Sequence, residues 1–333
     1  MYRKSIYYSI IVILMFTLCF GCSPKEEATS NNSEKIETGH SLTPEEPVVG
    51  EDDKSTGEYI KEIDKLITDN KFDEGLKTAN VAIKKESDHS TLYMQKGICL
   101  YYKYEYEDAL ESFNKSLSIE KGARENYVHR GQTYLKMGRY DEAIEDFNRI
   151  IKIVREFFPL YNSRGIAYIA KGNLDKGLAD FNKAVEIEPD YETPYENRGM
   201  AFAIKGDYKK AIKDLDKSLE INPQFARGYT TKGIIYILKR DYEKGIENLN
   251  KALELNPTDA DTYYARGYAY LKTGKKEKAK IDFKKGRKSD TNGESLRFIK
   301  VLAKNYPDTD IGKMAGVQAK QIINVEKTAR LNK

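Results

Sequence analysis

The sequence predicts an all-α protein, an α-solenoid of antiparallel helical hairpins built on a 34-residue repeat. Three observations predict it. Glycine recurs at positions 97, 131, 165, 199, 233 and 267, with the same step between each and the next. Aromatic or aliphatic residues hold fixed places around each of these glycines. The places lie three or four residues apart, which is the spacing of one stripe on an α-helix.

The chain has 333 residues, of which 40% are hydrophobic and 32% charged. It opens on a targeting segment. Arg3 and Lys4 precede an apolar run of 15 residues from Ile6 to Phe20. That run is shorter than the ~20 residues a membrane-spanning helix needs. It closes as Cys19-Phe20-Gly21-Cys22-Ser23. It resembles a bacterial lipoprotein signal, which implies cleavage before Cys22 and lipidation of that cysteine. An uncleaved anchor and an ordinary secretory leader are the alternatives, and all three place the remaining chain outside the cytoplasm. The Cys19–Cys22 pair also reads as C-x-x-C, but it lies in the leader, without the folded surroundings a redox site needs.

Residues 23–55 are expected to be a disordered acidic tether. They carry three Lys against nine Asp or Glu and almost no large apolar residues, so ordering them gains too little burial. The net charge of +4 divides into +2 for the leader, −6 for the tether and +8 for the remainder. In that remainder Lys and Glu alternate along the helices, as on a solvated surface, and no nucleic-acid partner is expected. Cys99 stands alone in the folded part and cannot form an internal disulfide, so packing must hold the fold.

Each 34-residue unit reads as two helices. Four places before each glycine stand Tyr93, Tyr127, Tyr161, Tyr195, Tyr229 and Tyr263; three places after come Leu100, Tyr134, Tyr168, Phe202, Tyr236 and Tyr270. A turn follows, with Gly138, Gly172, Gly206 or Gly274 in four of the units. In the second helix Ala109, Ala143, Gly177, Ala211, Gly245 and Ala279 stand four residues before Phe113, Phe147, Phe181, Leu215, Leu249 and Phe283. Glycine within a helix costs about 1 kcal/mol relative to Ala. Close helix crossing offsets that cost. Pro189, Pro223 and Pro257 close three of the units.

These residues resemble the tetratricopeptide repeat family over residues 90–293. The resemblance implies antiparallel helix pairs stacked into a right-handed superhelix, with a concave face lined by the first helices that binds peptides or partner helices. A degenerate unit at 56–89 precedes the six regular ones and carries Ile63 where they carry glycine. The solenoid is therefore expected over 56–293. Residues 294–333 leave the period and are expected to form capping helices, since an array must cover its terminal apolar edge.

The side of the first helices opposite the packing stripe is largely apolar, apart from the second regular repeat with its Glu125, Gln132 and Lys136, where a merely solvated face would be charged. It carries Met94, Ile98 and Tyr102, then Ile166, then Met200 and Ile204, then Ile234 and Leu238, and finally Tyr264 and Tyr268. Contiguous exposed apolar surface of this kind marks a binding site, so these ten residues are the candidate contacts for a protein or peptide. The competing reading is that neighbouring helices or the C-terminal segment cover them. No H-E-x-x-H, G-x-S-x-G or phosphate loop is present, and His40, His89 and His129 have no metal-ligand spacing. The carboxylates are expected on solvent faces, Cys99 in the core, and no cofactor or enzymatic activity is expected. The leading function is an extracytoplasmic, lipid-anchored scaffold in envelope assembly or secretion. Recognition of a glycan is the alternative, and catalysis is the third class.

Overall fold

A computed structural model describes residues 54–290, together with Gly316, Val317 and Lys320. The leader with Cys22, the tether up to residue 53 and nearly all of the expected capping segment lie outside the described residues. Among the described residues there are fourteen α-helices and no strand. They are α1 (Thr56–Thr68), α2 (Phe72–Lys85), α3 (Ser90–Tyr102), α4 (Tyr106–Ile119), α5 (Arg124–Lys136), α6 (Tyr140–Ile151) and α7 (Phe158–Ala170). There follow α8 (Leu174–Ile187), α9 (Glu192–Lys205), α10 (Tyr208–Ile221), α11 (Ala226–Leu238), α12 (Tyr242–Leu255), α13 (Ala260–Lys272) and α14 (Lys276–Ser289). The expected pairs are all present, including the degenerate first hairpin.

The chain divides into two compact units, one ending at Thr133 and the other running on from Tyr134. In the N-terminal unit α1 packs on α2, α2 on α3 and α3 on α4, and the first helices α1 and α3 also touch. Ile63, Ala79, Leu92 and Cys99 form its fully buried centre. Burial pushes the Cys99 thiol up to about 11, so it packs as a small core residue. In the C-terminal unit each helix from α6 to α14 packs on the next, and the first helices α7, α9, α11 and α13 touch in succession.

Local chemistry sets the helix ends. At α1, Ser55 and Glu58 form a reciprocal capping box, with the Ser55 amide donating to Glu58 at 2.7 Å. Asn173, Asp207 and Asp241 cap α8, α10 and α12 by accepting from the backbone amides of Lys176, Lys210 and Lys244. Each hairpin turn needs a left-handed residue. Gly138, Gly172, Gly206 and Gly274 supply it with φ between 74° and 82°. Asn70, Tyr104 and Arg240 occupy the same turn at φ 58°, 64° and 65° without being glycine.

The repeating glycines do what their spacing implies. A Cβ on Gly97 would stand 2.6 Å from the Phe113 ring, and one on Gly165 would stand 2.7 Å from Phe181. The ring of the second helix therefore seats directly on the backbone of the first. Phe113, Phe147, Phe181 and Phe283 are wholly buried in consequence.

Gly165→Ala should lower stability by about 1–3 kcal/mol, because crowding against Phe181 and the Gly177 carbonyl outweighs the better helix propensity. Gly57→Ala, in open space on α1, should instead gain up to about 1 kcal/mol. Thermal unfolding followed by circular dichroism checks both, and equal shifts of the same sign would contradict the seating argument.

Candidate partner-binding face

The first helices carry the candidate contacts, and the two units present them differently. In the N-terminal unit Met94 and Ile98 on α3 are half-buried against Leu100 and Phe113. Tyr102, at the end of α3, remains 49% exposed. It stacks on Phe72 with ring centroids 4.7 Å apart and meets Tyr101 edge-on at 5.3 Å. Tyr104 in the following turn is 58% exposed and meets Tyr106 at 6.3 Å. An aromatic surface therefore surrounds the α3–α4 turn. The helical register points to Tyr102 but not to Tyr104, whose signal is a bulky residue at the left-handed turn position that four of the other repeats give to glycine.

The C-terminal unit corrects the expectation of an exposed stripe. Ile166, Met200, Ile204, Ile234, Tyr264 and Tyr268 are all buried, and Leu238 is partly buried against the same apolar cluster. Tyr264 belongs to the packing of its own hairpin. Its ring lies against Gly286 of α14, where a Cβ would stand only 2.5 Å away, and it stacks near Phe283. Earlier repeats have Met94, Val128, Asn162, Glu196 or Thr230 at that place and Ser116, Ile150, Ala184, Ser218 or Ala252 opposite. A large residue at 264 thus pairs with the smallest possible one at 286. The signal lies in two columns of the repeat, 22 places apart.

Polar groups also line this face. Glu196 on α9 is 1% exposed, accepts from Thr231 at 2.9 Å and pairs with Arg227 of α11 at 3.2 Å. Burial raises its carboxyl above the usual range, and the Arg227 guanidinium opposes that rise. One turn away the Thr230 and Thr262 hydroxyls share a hydrogen bond of 2.6 Å. These links tie α9 to α11 and α11 to α13.

A second correction concerns the carboxylates. Asp146, Asp180, Asp214 and Asp282 lie in the interior at 2–7% exposure rather than on solvent faces. Arg164 donates two hydrogen bonds to Asp180, at 2.8 and 2.6 Å, and a third to Asn148 of the preceding hairpin at 2.6 Å. Arg198 repeats this with Asp214 and Asn182, and Arg266 with Asp282 and Asn250. The repeat between them has Lys232, Asn248 and Asp216 at those places. There the acid has moved to the preceding hairpin, and Lys232 pairs with Asp216 at 2.6 Å. The guanidinium fork needs a carboxylate placed for two parallel bonds, whereas a lysine ammonium is satisfied by a single charge.

Among the described residues no group of three His, Cys, Asp or Glu is placed to hold a metal ion. His129 on α5 stacks on Phe113 with centroids 5.9 Å apart, and burial pulls its pKa down to about 4.

Family models described as tetratricopeptide repeat match residues 126–157, 158–191, 194–225 and 260–290, and a TPR repeat model matches 233–274. Residues 126–290 belong to the tetratricopeptide repeat family. The hairpins at 56–119 carry the same architecture upstream of the matched region. The chain is similar to the crystal structure of a tetratricopeptide repeat protein from Parabacteroides merdae. That match has TM-score 0.63 and 19% identity and covers 78% of this chain and 98% of the other. A TPR protein of Thermus thermophilus matches with TM-score 0.50 and 22% identity, covering 55% of this chain and 99% of its own. A chain of the Cut9–Hcn1 hetero-tetramer matches at TM-score 0.59 and 18% identity over 81% of this chain and 50% of that one. At these identities the likeness is one of fold. No curated protein matches the sequence.

Two expectations follow from the TPR geometry. Arg198→Lys should cost about 1–2 kcal/mol, because a lysine cannot hold both Asp214 oxygens and Asn182 together. Urea unfolding measures this, and an unchanged midpoint would contradict it. His129 binds its proton more weakly folded than unfolded, so stability should be complete above its unfolded pKa near 6.5. It should fall as the pH drops toward 4, by up to about 3 kcal/mol. The difference between wild type and His129→Gln across that window isolates the effect from the carboxylates.

Proposed function

We propose that this TPR protein is an extracytoplasmic scaffold, tethered through a lipid on Cys22, that holds a protein or peptide segment against the first helices. The observation that carries the reading is the exposed aromatic surface of Tyr102 and Tyr104 beside the half-buried Met94 and Ile98. It lies at the end of a first helix, on the face that tetratricopeptide repeats use for partners. Tyrosine offers large, stiff, amphipathic contact area at low entropic cost, which suits an anchor. Tyr104 holds a left-handed backbone, a costly choice for a non-glycine residue that otherwise brings nothing to the core. The apolar leader ending in Gly21-Cys22 supports the anchor, and an envelope-assembly or secretion role follows from that location.

The buried carboxylates support a scaffold rather than an enzyme, because Asp180, Asp214 and Asp282 are each engaged by arginine. None faces a nucleophile or an open pocket in the manner of an acid–base pair.

Replacing Tyr102 and Tyr104 together by Ala should leave the helical spectrum unchanged and weaken capture of the partner at least tenfold, a loss of about 1.4 kcal/mol. The partner is first isolated by photo-crosslinking from position 104. Wild-type recovery by the double variant would overturn the assignment. Cys22→Ala should abolish labelling by a fatty-acid analogue, and persistent labelling would overturn the anchor.

A further inference from the structure

The second helices mix acids and bases, and α14 does not. Between Lys276 and Ser289 it carries seven Lys or Arg against two acids. No other second helix has an excess of more than one positive charge. One of the two acids, Asp282, is buried and held by Arg266.

The excess arises at fixed columns of the repeat. In α8, α10 and α12, Lys183, Lys217 and Lys251 each pair with a glutamate three residues on, Glu186, Glu220 and Glu254. Helix α14 keeps the lysine, as Lys285, and replaces the glutamate by Lys288. Asp207 and Asp241 pair with Lys210 and Lys244 at the starts of α10 and α12. At the start of α14 the aspartate is replaced by Lys275, and the lysine is kept as Lys278. Each replacement removes an acid and leaves the lysine it neutralised elsewhere. Among the described residues Lys278, Lys284, Lys285 and Lys288 form no ion pair. A helix at the end of an array needs a polar outer side. A mixture of signs would meet that need, as it does in the earlier hairpins, so solvation does not account for charge of one sign.

The helix turns these charges to one side. Ala279, Phe283 and Gly286 are buried, with Gly286 against Tyr264 of α13. Opposite them Ile281 is 53% exposed. At 100° per residue Lys278, Lys284, Lys285 and Lys288 lie within about 60° of it, and Glu277 is the one acid among them. The register mates of Ile281 in α10 and α12 are Lys213 and Glu247, so the apolar residue is also new at this place. A lysine ammonium is a hydrated point charge suited to a diffuse anionic layer, whereas arginine forks suit fixed carboxylates. An exposed isoleucine ringed by lysines adds an apolar contact where such a layer meets hydrocarbon.

We propose that the outer face of α14 docks on a membrane surface of anionic phospholipid headgroups, with Ile281 entering the boundary between headgroups and acyl chains. Each lysine near such a surface contributes roughly fivefold to binding. The proposal goes beyond the scaffold reading and rests neither on a lipid at Cys22 nor on the tyrosine surface. The face points away from α13, so docking does not involve the first helix of that hairpin.

The test uses the full chain carrying C19S, C22S and I281C, labelled with an environment-sensitive maleimide fluorophore. Cys99 is buried and its thiol is pushed up to about 11, so it does not compete for the reagent at neutral pH. The leader is present in every sample, so only the response at α14 distinguishes one lipid from another. Emission should rise about threefold on phosphatidylglycerol-containing vesicles and stay nearly flat on phosphatidylcholine vesicles. Salt at about 0.5 M should reverse the rise, because it shortens the reach of exposed charges to a few ångströms. K278Q/K284Q/K285Q/K288Q should remove most of the rise with the helical spectrum retained. An equal rise on phosphatidylcholine, or an equal rise with the label at E247C, would show mere proximity to the bilayer and overturn the proposal. A rise that survives the salt would overturn it without recourse to the lysine variant. No rise on anionic vesicles, or a rise only with soluble polyglutamate or polyphosphate, would overturn it as well. No arm uses a partner or a lipidated cysteine, so failure of the scaffold or anchor reading leaves the result readable.

Discussion

The structure depends on the contact between a helical glycine and the ring or branched side chain that seats on it. Gly165 and Phe181 show it most plainly, since no Cβ fits between them. The seat sets how closely two helices of a hairpin approach, and the approach sets which residues are left to line the flanks. Repeating it at one fixed period makes each hairpin a copy of the last. A solenoid of this kind gains stability from nearest-neighbour interfaces, so an error in one seat is felt by the hairpins on both sides. The cost of glycine in a helix is small beside the burial of a whole phenylalanine.

Apolar seating alone does not specify how one hairpin stacks on the next, because van der Waals contact tolerates sliding. The arginine clamps supply direction. Arg164 reaches Asp180 in its own hairpin and Asn148 in the preceding one, so its fork fixes both relations together. The exception at Lys232 follows the same logic. Its own hairpin has Asn248 where the others have aspartate, and the acid appears at Asp216 in the hairpin before. The set still holds one positive charge, one acid and one amide, while the acid and the amide exchange places. Buried ion pairs add little net stability against apolar alternatives, and their value here lies in register.

The first helices share their residues between the core and the surface, and the balance shifts along the chain. Around α3 the outward positions hold Met94, Ile98 and Tyr102 beside an aromatic turn. Around α9 and α11 the corresponding face has drawn in Glu196, Arg227 and two threonines that knit helices together. A charged pair placed there leaves less of the surface to adapt to a ligand. The tyrosines that the core does not need, Tyr102 and Tyr104, are left at the surface around the α3–α4 turn.

The period, the hairpins and the seating glycines are legible in the sequence, because each is a one-dimensional signal. A fixed spacing survives translation into three dimensions when the repeat is local. The arginine clamps are also written there, in columns one repeat apart, yet a column of aspartates looks like solvated decoration until a guanidinium is placed beside it. Exposure cannot be read in the same way. Whether Met200 or Tyr264 faces water depends on what other segments bring to it, and those segments are distant along the chain. The helical register marks Tyr264 as a surface anchor, but it is a core ring, because Gly286 opens a space that only the hairpin's closure creates. By itself the sequence determined the fold, since helical hairpins form from contacts between near neighbours. The tertiary structure alone decided which apolar residues remain available, since burial belongs to the assembled helices and not to any one of them.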